Sequence, residues 1–351
     1  MAYHEAIAVL EEDMRVALLR QAGEIVIEDR PMLVPAAGEV LIQVVYAGVC
    51  GSDLHSFEGT HPFRHPPVVL GHEVSGTIAA VGEGVTGLAL GQPVTVMPYT
   101  FCGTCAQCRL GRTNTCLNKV VPGLQGWQGT FAEYFLSRAD IVYPLAGLGL
   151  RRGVLAEPFA VGVHAARRGN VEPGSRVLVL GGGSIGLFTT AAAHLAGAAT
   201  VAITDLSAHN LSLAAKMGAG HGYDARDVDL IETIRRDFPE GLDVVFLASA
   251  AKATVRQALS LVRRGGRIVV IALFDGDVPV RLSDLTVSEL DLVGSQIYDR
   301  DDFAQALAYL QDGALPYEEL ITHELPLAEA QHALDLMQRR EEPVVKALLC
   351  P

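Results

Sequence analysis

The sequence predicts an α/β protein of two domains, one β-rich and one a doubly wound parallel sheet. Three observations predict it. The 351 residues exceed one ordinary core and suit two domains of roughly 150–200 residues. In the first part of the chain, short apolar runs are separated by Gly and Pro turn signals. From Val177 the pattern alternates strand and helix, which demands parallel strands with helices on both faces.

The elements follow in order. RVALL and EIVIE form a strand pair between Arg15 and Ile27, turning at Ala22-Gly23. Further strands are expected at Glu39 to Tyr46, Glu73 to Val81, Gln92 to Met97 and Thr130 to Leu136. The second domain opens with the strand VLVLG, then a helix from Ser184 to Leu195 closed by Gly197. Thr200 to Thr204 is a strand and Ser207 to Met217 a helix closed by Gly218. Leu242 to Leu247 is a strand, Lys252 to Val262 a helix, and Arg267 to Leu273 a strand. A last strand of that sheet falls near Leu292 to Ser295. Helices at Asp302 to Gln311 and Ala328 to Met337 follow, with a closing strand around Val344 to Leu349.

Half of the residues are hydrophobic and 19% are charged, which excludes a disordered or fibrous chain. A net charge of −13 repels phosphate backbones and argues against a nucleic-acid partner. The N-terminus, MAYHEAIAVLEEDM, has no basic region ahead of its apolar run, so a secretory signal is not expected. Residues 177–204 carry no charge apart from what His194 can take up, and are long enough to cross a bilayer. The cluster Gly181, Gly182, Gly183 and Gly186 divides them into strand, turn, helix and strand, so no membrane span is expected. Clustered cysteines without an export signal read as metal ligands in the reducing cytoplasm.

Gly181-Gly182-Gly183-Ser184-Ile185-Gly186 is a G-x-G-x-x-G turn between a strand and a helix. Gly181 permits the tight turn, Gly183 lets backbone approach a pyrophosphate, and Gly186 lets helix and strand pack closely. The phosphates would rest on the helix N-terminus, at Ser184 and Ile185. Asp205 ends the next strand, where a carboxylate accepts from the adenosine ribose hydroxyls and repels a 2′-phosphate, favouring NAD. Asp205 could also serve only as a helix cap.

Cys102, Cys105, Cys108 and Cys116 have the spacing C-x2-C-x2-C-x7-C. Four thiolates close a tetrahedral site and leave no open position, so a zinc there is structural. A second group is dispersed: Cys50 in VCGSDLH, His72 in LGHE and Glu157 in AEPFAVGVHA. A thiolate, an imidazole and one carboxylate leave a fourth position open, the pattern of a catalytic zinc. Singly, Cys50 could be a core thiol, His72 a turn residue and Glu157 a helix-start carboxylate.

Taken together, VCGSDLH, GHEVSG, CGTCAQC, LGGGSIG and AEPFAVGVHA resemble the zinc-dependent medium-chain dehydrogenases, the alcohol, sorbitol, butanediol and threonine dehydrogenase family. The resemblance runs from about Arg15 to the C-terminus. It implies an N-terminal extension (1–13), a GroES-like catalytic domain (14–157 and 297–351) and a Rossmann NAD-binding domain between them (158–296). It implies one catalytic and one structural zinc per chain, with Cys50 and His72 as catalytic ligands. Relatives use either of two glutamates as third ligand; Glu157 is expected at rest, with Glu73 as an exchange ligand. Asp53 is expected to orient His72, Ser52 to take the substrate proton, and His55 to relay it. Many NAD-using relatives carry Arg five residues after the ribose-binding acid, where this chain has Asn210. Ile271 and Leu273 match positions that line the nicotinamide.

The implied reaction is hydride transfer between a secondary alcohol, such as a polyol or vicinal diol, and NAD, with a ketone as the reverse substrate. A threonine 3-dehydrogenase-like activity is an alternative, as is a zinc-structured protein that holds NAD without turnover. A zinc-free reductase of the same superfamily fits less well with Cys50, His72 and the four-cysteine loop. A homodimer or homotetramer is expected.

Overall fold

The computed structural model describes residues 12–339 and 341–351. The expected extension, residues 1–13, lies outside the described residues except for Glu12 and Asp13. The chain divides into two compact units, one running to Glu157 and resuming at Ile321–Pro351, the other Pro158–Leu320.

In the first unit, β1 (Asp13–Gln21) and β2 (Glu24–Pro31) form the expected antiparallel hairpin, with Ala17 opposite Ile27. β3 (Glu39–Val49) is its longest strand, mostly buried and paired on both edges. Val49 is followed by the helix Gly51–Phe57. β4 (Val68–Val69) joins β1, and β5 (Glu73–Val81) runs antiparallel to β3. β6 (Pro93–Val96), β7 (Tyr134–Arg138) and β8 (Val142–Pro144) extend the larger sheet. β7 starts four residues later than Thr130, the expected start, because Thr130 and Phe131 bond to Gly71 and Leu70 outside the ladder. Trp127 stacks on Phe135 and donates to the Leu136 carbonyl at 2.8 Å.

The second unit contains a six-stranded sheet, parallel throughout. Its strands are β9 (Arg176–Leu180), β10 (Thr200–Asp205), β11 (His221–Asp224), β12 (Leu242–Leu247), β13 (Val262–Val270) and β14 (Asp291–Gly294). The spatial order β11-β10-β9-β12-β13-β14 is the doubly wound order 3-2-1-4-5-6. The central strands are buried on both faces, which is why they read as unbroken apolar runs. Ser184–Leu195 is a helix as expected, and Ser207 caps the next, Ala208–Lys216. β11 and the helix Leu230–Asp237 are additional; β11 is a short, largely exposed edge strand with no apolar pattern to announce it.

Two expectations are corrected here. Residues 297–320 group with the parallel-sheet unit rather than with the catalytic domain. The helix Arg300–Asp312 is tied there by Asp302, 2.7 Å from His164, and by Tyr309, whose ring lies 5.9 Å from Phe159. β13 also ends at Val270, so Ile271 and Leu273 lie beyond the strand, and Leu273 is 71% exposed.

The chain then re-enters the first unit with β15 (Ile321–Pro326), the helix Ala330–Arg339 and β16 (Lys346–Cys350). β16 pairs with β3 and completes the larger sheet. Among the described residues no helix is long and apolar enough to cross a membrane.

Candidate active site

The register of β3 against β5 sets Gly48 opposite Glu73. Cys50, just past β3, and His72, just before β5, are therefore brought to the same end of the pair. One donor atom each from Cys50, His72 and Glu73 lies within 4.8 Å of the others. Glu157 is not in this group, although it is buried at the start of the helix Ala156–Gly169. Glu73, expected as the exchange ligand, thus stands with Cys50 and His72, carried there by the β3–β5 register.

Glu73 is fully buried and its two oxygens differ. Oε1 accepts from Lys346 Nζ at 2.6 Å, while Oε2 has no hydrogen-bond partner among the described residues. Lys346 also donates to the Val49 carbonyl at 3.1 Å. Burial alone would lower the Lys346 pKa, but the carboxylate of Glu73 holds it above its ordinary value.

Asp53 is the next layer. Its Oδ2 accepts from the Cys50 N–H at 3.0 Å, and Oδ1 from the Gly71 N–H at 3.1 Å and from Arg64 Nη1 at 3.0 Å. His72 Nδ1 lies 3.7 Å from Oδ1, too long for a hydrogen bond. Burial opposes ionisation of Asp53, but His72 and Arg64 hold its carboxyl well below the usual range. Burial likewise opposes a charge on His72, but Asp53 and Cys50 raise its pKa well above the ordinary value. Donors that favour a proton between them favour a cation there, and the unpartnered Glu73 Oε2 is a third donor awaiting one. The set fits a zinc ion with one open position.

Ser52 and His55 lie one turn apart on the helix Gly51–Phe57, with different partners. Ser52 Oγ accepts from Arg64 Nη2 at 2.7 Å, and His55 Nδ1 lies 3.3 Å from Thr60 Oγ1. Sequence reasoning missed Arg64 and Lys346. A signal existed for Lys346, a lone cation inside the apolar run VVKALL; Arg64 in HPFRHPP gave none.

The four cysteines form the second group. Sulfur–sulfur distances are 3.9 Å for Cys102–Cys108, 3.9 Å for Cys105–Cys116 and 3.6 Å for Cys102–Cys116. Tetrahedral zinc with bonds of about 2.3 Å requires sulfurs about 3.8 Å apart. Backbone N–H groups of Thr104 and Cys105 pull the Cys102 pKa down to about 5, while burial and the neighbouring thiols push Cys108 up to about 12.

The glycine turn leaves β9 directly. Gly181 has φ +108, and a Cβ at Gly186 would lie 1.9 Å from the Gly181 carbonyl oxygen. Gly183 is the cap ahead of Ser184, with nothing within 4 Å of a would-be Cβ, so its surroundings are open. Asp205 accepts from the N–H of Gly182 at 2.7 Å, that of Ser207 at 2.8 Å and Asn210 Nδ2 at 3.2 Å. Ser184 Oγ and Asn210 Oδ1 are buried with no partner among the described residues. Open space at Gly183 and unpaired polar atoms beside Asp205 and Ile185 suit a dinucleotide phosphate and ribose.

A third group, His164, Asp299 and Asp302, also clusters. Arg167 fills it, with Nη2 at 2.8 Å from Asp302 and hydrogen-bonded to Asp299, so it is an ion-pair network.

Comparison with known proteins gives a family match within each unit. Residues 36–147 match the family Alcohol dehydrogenase GroES-like domain, and residues 184–312 the family Zinc-binding dehydrogenase. Sorbitol dehydrogenase of Bacillus subtilis is 33% identical over 346 residues, 97% of this chain and 98% of its own length. A solved Sinorhizobium meliloti 1021 protein, described as a zinc-binding dehydrogenase and bound to NADP, superposes with TM-score 0.90 at 31% identity, covering 97% of this chain and 100% of its own. An alcohol dehydrogenase from E. coli CFT073 in complex with NADH gives TM-score 0.91 at 27% identity, again covering 97% and 100%.

Proposed function

The chain belongs to the zinc-dependent medium-chain dehydrogenase/reductase family, and from that premise we propose that it oxidises secondary alcohols of the polyol or vicinal-diol class with NAD, reducing the corresponding ketones in reverse. The coarser statement, a zinc-dependent alcohol oxidoreductase using a nicotinamide cofactor, stands on the family. One observation carries the finer reading of the site: Cys50, His72 and Glu73 converge, with Glu73 Oε2 unpartnered.

Zinc held by these three residues would supply Lewis acidity to the substrate oxygen. The protein's own groups do the rest. Asp53, its Oδ1 3.7 Å from His72 Nδ1, would orient that ring through its charge. Ser52 takes the hydroxyl proton, and His55, one turn along the helix, stands next toward solvent. A second, structural zinc belongs to Cys102, Cys105, Cys108 and Cys116. NAD binds through Gly181, Gly183, Ser184, Ile185 and Gly186, with Asp205 and Asn210 at the ribose. Ile271 and Leu273 are assigned to the nicotinamide side. NAD is favoured over NADP because the Asp205 carboxylate repels a 2′-phosphate. A homodimer or homotetramer in the cytoplasm completes the proposal.

The test is a screen of sorbitol, vicinal diols, L-threonine and simple secondary alcohols with NAD and NADP, zinc content measured alongside. NADH formation on a polyol or diol, with two zinc ions per chain, is the expected result. Turnover only on L-threonine, or only with NADP, would overturn the finer reading. Cofactor binding without turnover on any alcohol would favour a non-catalytic protein.

A further inference from the structure

A buried cation, Arg64, stands beside Ser52 and Asp53. Arg64 is 5% exposed and reaches in from the segment between the helix Gly51–Phe57 and β4. Its Nη1 donates to Asp53 Oδ1 at 3.0 Å and its Nη2 to Ser52 Oγ at 2.7 Å. One planar group thus spans the hydroxyl assigned to proton transfer and the carboxylate behind a metal ligand.

The surroundings hold Arg64 in place. Its backbone N–H donates to His61 Nδ1 at 2.9 Å, and that of Phe63 to the same atom at 3.1 Å. Gly123, at φ +86, approaches so closely that a Cβ would lie 2.9 Å from Arg64 Cδ. An apolar side chain of similar volume would fill the space without desolvating a charge. A lysine would supply the charge without the fork that meets two acceptors at once.

The hydrogen-bond inventory of Ser52 gives this contact a consequence. A serine hydroxyl has one proton and two acceptor positions. Arginine only donates, so Arg64 occupies one acceptor position and the Ser52 proton must point elsewhere. One acceptor position remains for an incoming proton. We propose, on the functional reading given above, that Arg64 is a positioning residue that locks the Ser52 hydroxyl and the Asp53 carboxylate into a single arrangement suited to relaying a proton. The substrate O–H bond breaks as a new O–H bond forms at Ser52 Oγ. The original Ser52 O–H bond breaks toward His55 or water, and Ser52 ends neutral as it began. A guanidinium 2.7 Å from Oγ steadies partial negative charge on that oxygen, which favours loss of the Ser52 proton as the substrate proton arrives.

Arg64→Lys keeps the cation and loses the fork; Arg64→Met keeps only the stem. Both are compared with wild type as the metal-loaded full chain, with thermal unfolding as the check on folding. Expected are kcat losses of about 10- to 100-fold in both, KM for the alcohol changed by less than about threefold, and a larger solvent deuterium isotope effect. Cobalt(II) exchanged into the Cys50 site gives a readout that needs no turnover. Its visible bands shift in both variants, because Asp53 stands behind His72. Wild-type kcat and isotope effect in Arg64→Lys overturn the proposal, and if Arg64→Met fails to fold, Arg64→Lys decides alone. Should the wild-type chain oxidise no alcohol with either cofactor, the functional reading fails separately. The cobalt bands then decide the role of Arg64: shifted bands uphold it and unchanged bands overturn it.

Discussion

The two donor groups of the first unit are assembled in opposite ways. Cys102, Cys105, Cys108 and Cys116 come from one loop, and the loop's own amides point at its sulfurs, as in Cys105 N–H to Cys102 Sγ at 3.3 Å and Asn118 N–H to Cys116 Sγ at 3.3 Å. The Cys50 group comes from the ends of two paired strands, and Lys346, which steadies it, lies 273 residues from Glu73 in sequence. The first group needs only its loop; the second needs the sheet. Four sulfurs close a site, whereas three mixed donors leave a position where chemistry can occur. The site proposed to do the chemistry is therefore the one that depends on the fold.

The sharpest way to break this comparison is to remove one sulfur from each group. Cys50→Ser should abolish alcohol oxidation, by on the order of 10³-fold or more, while the chain stays folded. Zinc should fall from two ions per chain to one. Cys105→Ser should also lose one zinc, but lower the melting temperature and leave the kcat of the remaining folded enzyme within a few-fold of wild type. Equal loss of kcat in both variants, with the Cys50 zinc retained in Cys105→Ser, would remove the distinction. Zinc analysis with steady-state NADH absorbance measures both.

A smaller effect sharpens it. Lys346→Met leaves the Glu73 carboxylate buried without its cation, which should destabilise the fold by about 3–5 kcal/mol. Adding Glu73→Gln should recover part of that loss. The sign with pH follows from the raised Lys346 pKa. The pair's contribution is complete below the ordinary lysine value of 10.5 and is lost as pH climbs through the higher folded value. The gap between wild type and Lys346→Met in denaturant unfolding should be constant near neutral pH and close in strong alkali. A gap that already closes between neutral pH and the ordinary lysine value would contradict the buried pair.

What could be read from the sequence follows the same division. The four-cysteine loop and the glycine turn are local, and their spacing alone located them. The helix Ser184–Leu195 was legible to the residue, because glycines bound it and its neighbours are unbroken apolar strands. The convergence of Glu73 with Cys50 and His72 was not legible, since it follows from the β3–β5 register. Arg64 was hidden for the same reason: nothing in HPFRHPP says that its guanidinium turns inward to Ser52 and Asp53. The end of β13 was misplaced because the apolar run continues past Val270 after the ladder has stopped.

Gly48 offers the finest test of dependence on the sheet. It is an interior residue of β3, where a glycine ordinarily only weakens a strand. A Cβ there would lie 1.9 Å from Glu73 Oε2 and 2.9 Å from Glu73 Cβ. Glu73 cannot step aside easily, because its backbone is fixed opposite Gly48 and its Oε1 is held by Lys346. Gly48→Ala should therefore displace the unpartnered oxygen from the Cys50 group. An overpacking cost of about 1–3 kcal/mol is expected in unfolding measurements. Zinc should be lost from the Cys50 site alone, with the four-thiol zinc untouched. A Gly48→Ala protein that keeps both zinc ions and wild-type stability would show that Glu73 has room to move, and that the strand register does not set the ligand.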